Sequence, residues 1–253
     1  MEMVYTLKLA AAGTGFIFLM SVLGAAAVFC VSESVRGDFG KSVYGFAAGV
    51  MAAASVWSLL LPAIDQVKSE GFLPCWLPAA VGVLLGMLFL AVLDAVLPEL
   101  ERRLPSADRD TVLLTAAITL HNIPEGIAVG LACAVAAETG SVAGAAALAL
   151  GIGIQNFPEG AAISLPLHQN GCSRGKSFLS GVLSGSVEPV FGMLAVFAVS
   201  GVQILMPWLL CFAAGAMLYV IVDELIPQAH SRAGTCSFLV GFLLMMILDV
   251  ALG

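Results

Sequence analysis

Apolar runs separated by short polar or Gly/Pro breaks fill most of the 253-residue chain. About 20 apolar residues in a helix cross the hydrocarbon layer of a bilayer. On that criterion, the runs at 9–31, 42–64, 74–97, 111–137, 141–166, 176–200, 204–226 and 235–252 predict eight transmembrane helices in one domain, 1–253. Ala25–Ala27 superficially resemble a signal-cleavage site. The first run is nevertheless longer than the 7–15 residues or so of a signal h-region, and no basic segment precedes it, so a retained span is expected.

The runs repeat. FAAGVM at 46–51 recurs as FAAGAM at 212–217, and each copy is followed by a Pro-containing pair read as the helix end, Leu61-Pro62 and Ile226-Pro227. Gly86, Leu88, Leu93 and Asp94 align with Gly241, Leu243, Leu248 and Asp249 at a constant offset of 155. Spans one and six show no convincing match. Spans 1–3 and 6–8 start on opposite sides, which predicts an inverted repeat around the pair formed by spans four and five, an architecture common in secondary transporters.

Composition strengthens the membrane reading. Hydrophobic residues make up 60% and charged residues 11%, against roughly 25% charged in soluble domains; the mean hydropathy is +1.03. Arg36, Lys41, Arg102, Arg103, Arg109, Arg174, Lys176 and Arg232 fall on one side of the eight-span path, and only Lys8 and Lys68 on the other. By the positive-inside rule both termini lie outside. The net charge of −7 suits a protein that attracts cations. The six cysteines are scattered without a C-x-x-C pair and read as packing residues.

Few ionisable groups lie deep within the runs. They are His121 and Glu125 in span four, Glu159 in span five and Glu188 in span six. At about 1.5 Å per residue, His121 lies about 15 Å into its span and Glu188 about 18 Å, near the midplane. A charged Glu at the centre of a lipid-facing helix costs about 2.5–3.5 kcal/mol, so these side chains need an interior role. His121 and Glu125 share a helix face, as do Gln155 and Glu159, with Asn122 and Asn156 beside them. The motifs HNIPEG (121–126) and QNFPEG (155–160) are thus one pattern used twice. Together the two faces offer an imidazole, at least two carboxylates and three amide oxygens, a donor set suited to a divalent first-row cation. Pro124 and Pro158 deprive the carbonyls of Leu120 and Ile154 of their helical partners, which predicts kinks at the polar cluster. Gly126 and Gly160 permit close approach of neighbouring helices.

These motifs resemble the ZIP (Zrt/Irt-like) family of divalent metal transporters, particularly its bacterial members, over essentially the whole chain. The resemblance implies eight helices arranged 3+2+3 in the inner membrane of a bacterial cell. It also implies a binuclear site in which His121, Asn122 and Glu125 act with Gln155, Asn156 and Glu159, and Glu188 of the SVEP stretch completes the set. By the same resemblance Glu125 and Glu159 bridge two ions, and Met51 supplies a thioether. Ser58 and Asp65 match an entrance position, and Asp223 and Glu224 an exit-side pair. Asp94, Asp249 and His230 also lie near helix ends along a plausible route. Many eukaryotic relatives have His at the place of Gln155, and some relatives have Asp at the place of Asn156. The segment PELERRLPSADRD contains no His, unlike the metal-sensing loop of many relatives.

The expected function is uptake of Zn²⁺, with Fe²⁺, Mn²⁺ and Cd²⁺ as further substrates, by alternating access in which spans one, four, five and six slide against two, three, seven and eight. The partners expected are the metal ion, membrane lipid and, as a candidate assembly, a second copy in a homodimer. An intramembrane sensor or metal-binding scaffold without transport is the alternative. An intramembrane hydrolase is disfavoured because no H-E-x-x-H occurs. GIGIQN follows no strand, so neither a nucleotide loop nor a nucleic-acid partner is expected.

Overall fold

The computed structural model describes residues 2–30, 38–71, 73–101, 109–169, 171–201 and 203–252. Arg36, Arg102 and Arg103, used above for orientation, lie outside the described residues, as do the side chains of Arg109 and His121. The regular structure of the described residues is helical, with no strand among them. The α-helices are α1 (Glu2–Ala25), α2 (Asp38–Ala54), α3 (Leu61–Glu70), α4 (Trp76–Glu101), α5 (Arg109–Thr139), α6 (Ala143–Gln169), α7 (Arg174–Gly185), α8 (Val187–Gly201), α9 (Met206–Val220), α10 (Ile226–Ala229) and α11 (Arg232–Leu252).

Among the described residues, six segments are long and apolar enough to cross a membrane: Met3–Phe29, Gly40–Ser69, Trp76–Val96, Arg174–Val199, Met206–Ala229 and Arg232–Ala251. The helices α5 and α6, 31 and 27 residues long, carry the two polar motifs and are not among the six. The molecule is packed inside out relative to a soluble domain. Its interior is rich in Ala, including Ala47, Ala48, Ala128, Ala213 and Ala214 at 0% exposure, while Leu84, Val92, Leu243 and Ile247 face outward. Small residues let helices approach closely where lipid offers no hydrophobic drive for association, and the outward Leu, Ile and Val side chains suit hydrocarbon. This is a multi-pass membrane protein.

Four helix pairs form the frame: α2 with α11, α4 with α9, α1 with α6, and α5 with α8. Further contacts gather α1, α5, α6, α7 and α8 into one group, which meets the rest through α5 against α9 and α6 against α2 and α11.

Proline acts differently from the sequence expectation. Leu61-Pro62 does not end its helix. The chain widens into a π turn at Ser55–Leu60, then continues as α3 to Gly71 in the left-handed region at φ 69°. The same widening occurs at Ile221–Leu225, before Pro227 and the short α10. A proline ring clashes with the carbonyl four residues earlier and offers no N–H; opening the preceding turn relieves both defects without stopping the helix. The π turns begin nine residues after Phe46 and nine after Phe212, at Ser55 and Ile221, so the repeat extends to the backbone irregularity. A second difference falls within 176–200, where the helix breaks at Ser186 between α7 and α8. Pro189 cannot donate to the Gly185 carbonyl, and the break puts Glu188 in the first turn of α8.

Gly126 and Gly160 are the contact points of the two motif helices. A Cβ at Gly126 would collide with the backbone of Glu188, and one at Gly160 with the backbone of Ser21. Gly15, by contrast, faces open space. Gly160→Ala should therefore lower the thermal midpoint in detergent, by the 1–3 kcal/mol or so typical of overpacking, whereas Gly15→Ala should not lower it. Fluorescence-detected size exclusion after heating measures both.

Candidate metal centre

The contact at Gly126 brings α5 onto the start of α8, and the contact at Gly160 brings α6 onto α1. Four helices thereby deliver polar side chains to one interior region. Glu125, Gln155, Asn156 and Glu188 are all at 0% exposure and Asn122 is at 3%, while Glu159 is half-buried.

Their hydrogen bonds are shared in a specific way. Gln155 Nε2 donates to Glu125 Oε1 at 2.6 Å, and Asn156 Nδ2 donates to Glu188 Oε1 at 3.0 Å. Ser21 Oγ also donates to Glu188 Oε1, at 2.9 Å. Each amide thus spends an N–H on a carboxylate and retains its oxygen. Among the described residues, Ser164 Oγ, Ser177 Oγ and Asp249 Oδ2 are buried without a hydrogen-bond partner, and so are four atoms of this group, Glu125 Oε2, Gln155 Oε1, Asn156 Oδ1 and Glu188 Oε2. All four are acceptors. Glu159 and Glu188 act electrostatically on Glu125, so three carboxyl groups share this region. An unpaired buried acceptor costs about 1–3 kcal/mol, and more when charged. A cation supplies what all four oxygens lack.

The structure joins most of the sequence-derived set, with exceptions. Asn122 faces Ser184, to which its Nδ2 donates at 3.2 Å, and Thr119 Oγ1 reaches the same hydroxyl at 3.2 Å. Met51 is buried in the hydrophobic core on α2. Among the described residues no group of three His, Cys, Asp or Glu forms a metal cage by itself. The oxygens that converge here include two amides, and the His121 side chain lies outside that description.

Sequence reasoning missed Ser21 and Ser184. Ser21 belongs to a run with no charged residue near it, but Thr14 and Ser21 are seven residues apart on one face of α1, both buried. A polar stripe at helical spacing within an apolar run was the available signal.

A cavity of about 470 Å³ lies at the α5–α6 loop end, between the two helix groups. Its lining includes Trp57, Ser58, Asp65, Thr139, Leu210 and Asp249. Asp65 is exposed and pairs with Lys68 at 3.0 Å. Asp249 is only 8% exposed; it accepts a 2.7 Å bond from Ser58 Oγ, and its Oδ2 has no partner. Asp249 therefore belongs with Ser58 and Asp65 rather than being a solvated helix end. The cavity stops short of the centre, since Ala132 on its wall is seven residues, about 10 Å, beyond Glu125. Asp223 and Glu224 occupy the second π turn, Asp223 exposed and Glu224 half-buried. Asp94 bonds to Tyr219, on which Asp223 also acts. His230 is exposed.

Apolar surfaces around a buried, acceptor-rich centre, with acidic cavity walls at one end, define a polytopic membrane protein with a polar interior site. A family profile described as ZIP zinc transporter matches residues 106–249, more than half of the chain. Zinc transporter GufA of Myxococcus xanthus is 39% identical over 91% of this chain and 94% of its own length. Zinc transporter ZIP11 of Homo sapiens is 34% identical over 95% and 96%, and zinc transporter ZIPB of Bordetella bronchiseptica 34% over 92% and 81%. The chain belongs to the ZIP zinc transporter family.

If the orphan oxygens accept a cation, binding should stabilise the folded protein. Zn²⁺ at about one hundred times its dissociation constant should add about 2.7 kcal/mol. The thermal midpoint of the wild type should rise with added Zn²⁺, and that of Glu125→Ala should not.

Proposed function

We propose that this protein carries Zn²⁺ across the cell membrane into the cytoplasm, with Fe²⁺, Mn²⁺ and Cd²⁺ as further substrates. The observation that carries this reading is the set of four buried, unpartnered oxygens on α5, α6 and α8. The names of the relatives, all zinc transporters, add the direction of chemistry: transport rather than catalysis.

His121, Asn122, Glu125, Gln155, Asn156, Glu159 and Glu188 form the midplane site, with Met51 at its edge. Two ions share it through Glu125 and Glu159. Pro124 and Pro158 bend α5 and α6 there, freeing the Leu120 and Ile154 carbonyls to face the polar centre. The ion enters past Asp65, Ser58 and Asp249, loses its water at the buried oxygens, and leaves past Asp223 and Glu224.

Eight spans in a 3+2+3 order, with both termini outside, form the scaffold. Support for the inverted repeat comes from matched close approaches of backbone. Gly49 meets Phe238 and Gly215 meets Val83; Gly86 meets Phe212 and Gly241 meets Phe46. Each pair maps onto the other through the offsets 166 (Phe46 to Phe212) and 155 (Gly86 to Gly241). A scaffold with two equivalent halves has two related conformations, the requirement of alternating access. The groups containing α1, α5, α6, α7 and α8, and α2, α4, α9 and α11, are the blocks that slide.

The test is Zn²⁺ flux into proteoliposomes. Wild-type flux should be saturable. Glu125→Ala and Glu159→Ala, verified as folded, should abolish it. Asp65→Asn and Asp249→Asn should slow flux while equilibrium binding persists. Binding without flux for every metal would favour a sensor.

A further inference from the structure

Glu188 uses its two oxygens unequally. Its Oε1 accepts from Ser21 Oγ at 2.9 Å and from Asn156 Nδ2 at 3.0 Å, while its Oε2 has no partner. An ionised carboxylate has two lone-pair sites on each oxygen. Both sites of Oε1 are therefore taken, and Oε2 alone is open to an ion. Asn156 belongs to the repeated motif, whereas Ser21 comes from α1, outside it.

The packing fixes Ser21 in this position. A Cβ at Gly160 would strike the Ser21 carbonyl, and one at Gly185 would crowd the Ser21 Cβ. Glycines of α6 and α7 thus hold that turn of α1 from two sides. Ser21 is 4% exposed and Glu188 0%, so bulk water does not compete for the bond. The hydroxyl has two acceptors in reach, the Ile17 carbonyl at 3.3 Å and Glu188 at 2.9 Å. It has one proton to donate, and the shorter bond, to a carboxylate, is the stronger. Thr14, seven residues earlier on the same face and also buried, differs: its hydroxyl donates to the Ala10 carbonyl of its own helix at 2.7 Å.

We propose that Ser21 is a positioning residue that limits Glu188 to one-oxygen coordination and so favours Zn²⁺ over a larger divalent ion. Zn²⁺ is satisfied by about four donors at about 2.0–2.2 Å, for which one carboxylate oxygen suffices. Larger cations such as Ca²⁺ gather about 6–8 oxygens and can take a carboxylate through both. Cd²⁺, larger than Zn²⁺ at the same charge, shares that demand. With Ser21 in place Oε1 is engaged; without it, one lone pair of Oε1 turns to the ion. No covalent bond is made or broken. The proposal rests on the reading of this cluster as the ion site.

The experiment measures equilibrium binding of Zn²⁺ and of Cd²⁺ to purified wild type, Ser21→Ala and Thr14→Val, each shown to be folded by size exclusion. Ser21→Ala should raise the affinity for Cd²⁺ relative to Zn²⁺ by about tenfold, the scale of one hydrogen bond to a charged group. Thr14→Val removes a buried hydroxyl from the same face without touching a carboxylate, and should leave the ratio as in wild type. X-ray absorption at the cadmium edge should show an added oxygen in the first shell of Ser21→Ala. An unchanged ratio in Ser21→Ala, an equal loss of both affinities, or the same change in Thr14→Val would each overturn the proposal. Absence of saturable binding of either ion in the wild type would instead overturn the reading of the cluster as a metal centre.

Discussion

Buried acceptors need a positive partner, and that constraint organises the interior. Glu125 and Glu188 are completely enclosed, each with one oxygen bonded and one unpaired. Gln155 and Asn156 use their N–H groups on these carboxylates and so add two more unpaired oxygens. A fold stabilised only by its own contacts would gain from replacing such a cluster with apolar residues of similar volume. Retaining the cluster makes physical sense when a cation completes it.

The surrounding packing serves the same end. Gly126 and Gly160, each the last residue of its motif, let the backbones of Glu188 and Ser21 approach α5 and α6. One six-residue pattern therefore supplies both the donors and the close contact that gathers donors from other helices. The π turns do comparable work at the far ends of the repeats. They allow α2 and α9 to continue past Pro62 and Pro227, and the second turn carries Asp223 and Glu224. Asp223 and Glu224 thus sit at a backbone irregularity and Glu188 just after the break at Ser186, whereas Glu125, Gln155 and Asn156 lie within the unbroken helices α5 and α6.

This division explains what was legible in the sequence. The duplicated motif, Glu188 and the FAAG repeat stood out because polar groups and small-residue blocks are rare events in apolar runs. Helicity and membrane character followed from run length and composition. Continuation through Leu61-Pro62 was not legible, because a proline that ends a helix and one that follows a π turn look alike in sequence. Nor was Ser21, whose partner Glu188 is 167 residues away. The close approaches of Gly126 to Glu188 and of Gly160 to Ser21 were not legible either, because they depend on packing between helices distant in sequence. The burial of Asp249 was not legible either, since its partner Ser58 is 191 residues distant.

The central claim is that the enclosed carboxylate and amide oxygens are ligands for a metal ion. X-ray absorption at the zinc edge of the purified, Zn²⁺-loaded protein tests it most directly. The account predicts a first shell dominated by oxygen and nitrogen at about 2.0–2.2 Å, which is lost or rearranged in Glu188→Ala. A shell dominated by sulfur at about 2.3 Å, or a spectrum identical in wild type and Glu188→Ala, would contradict it.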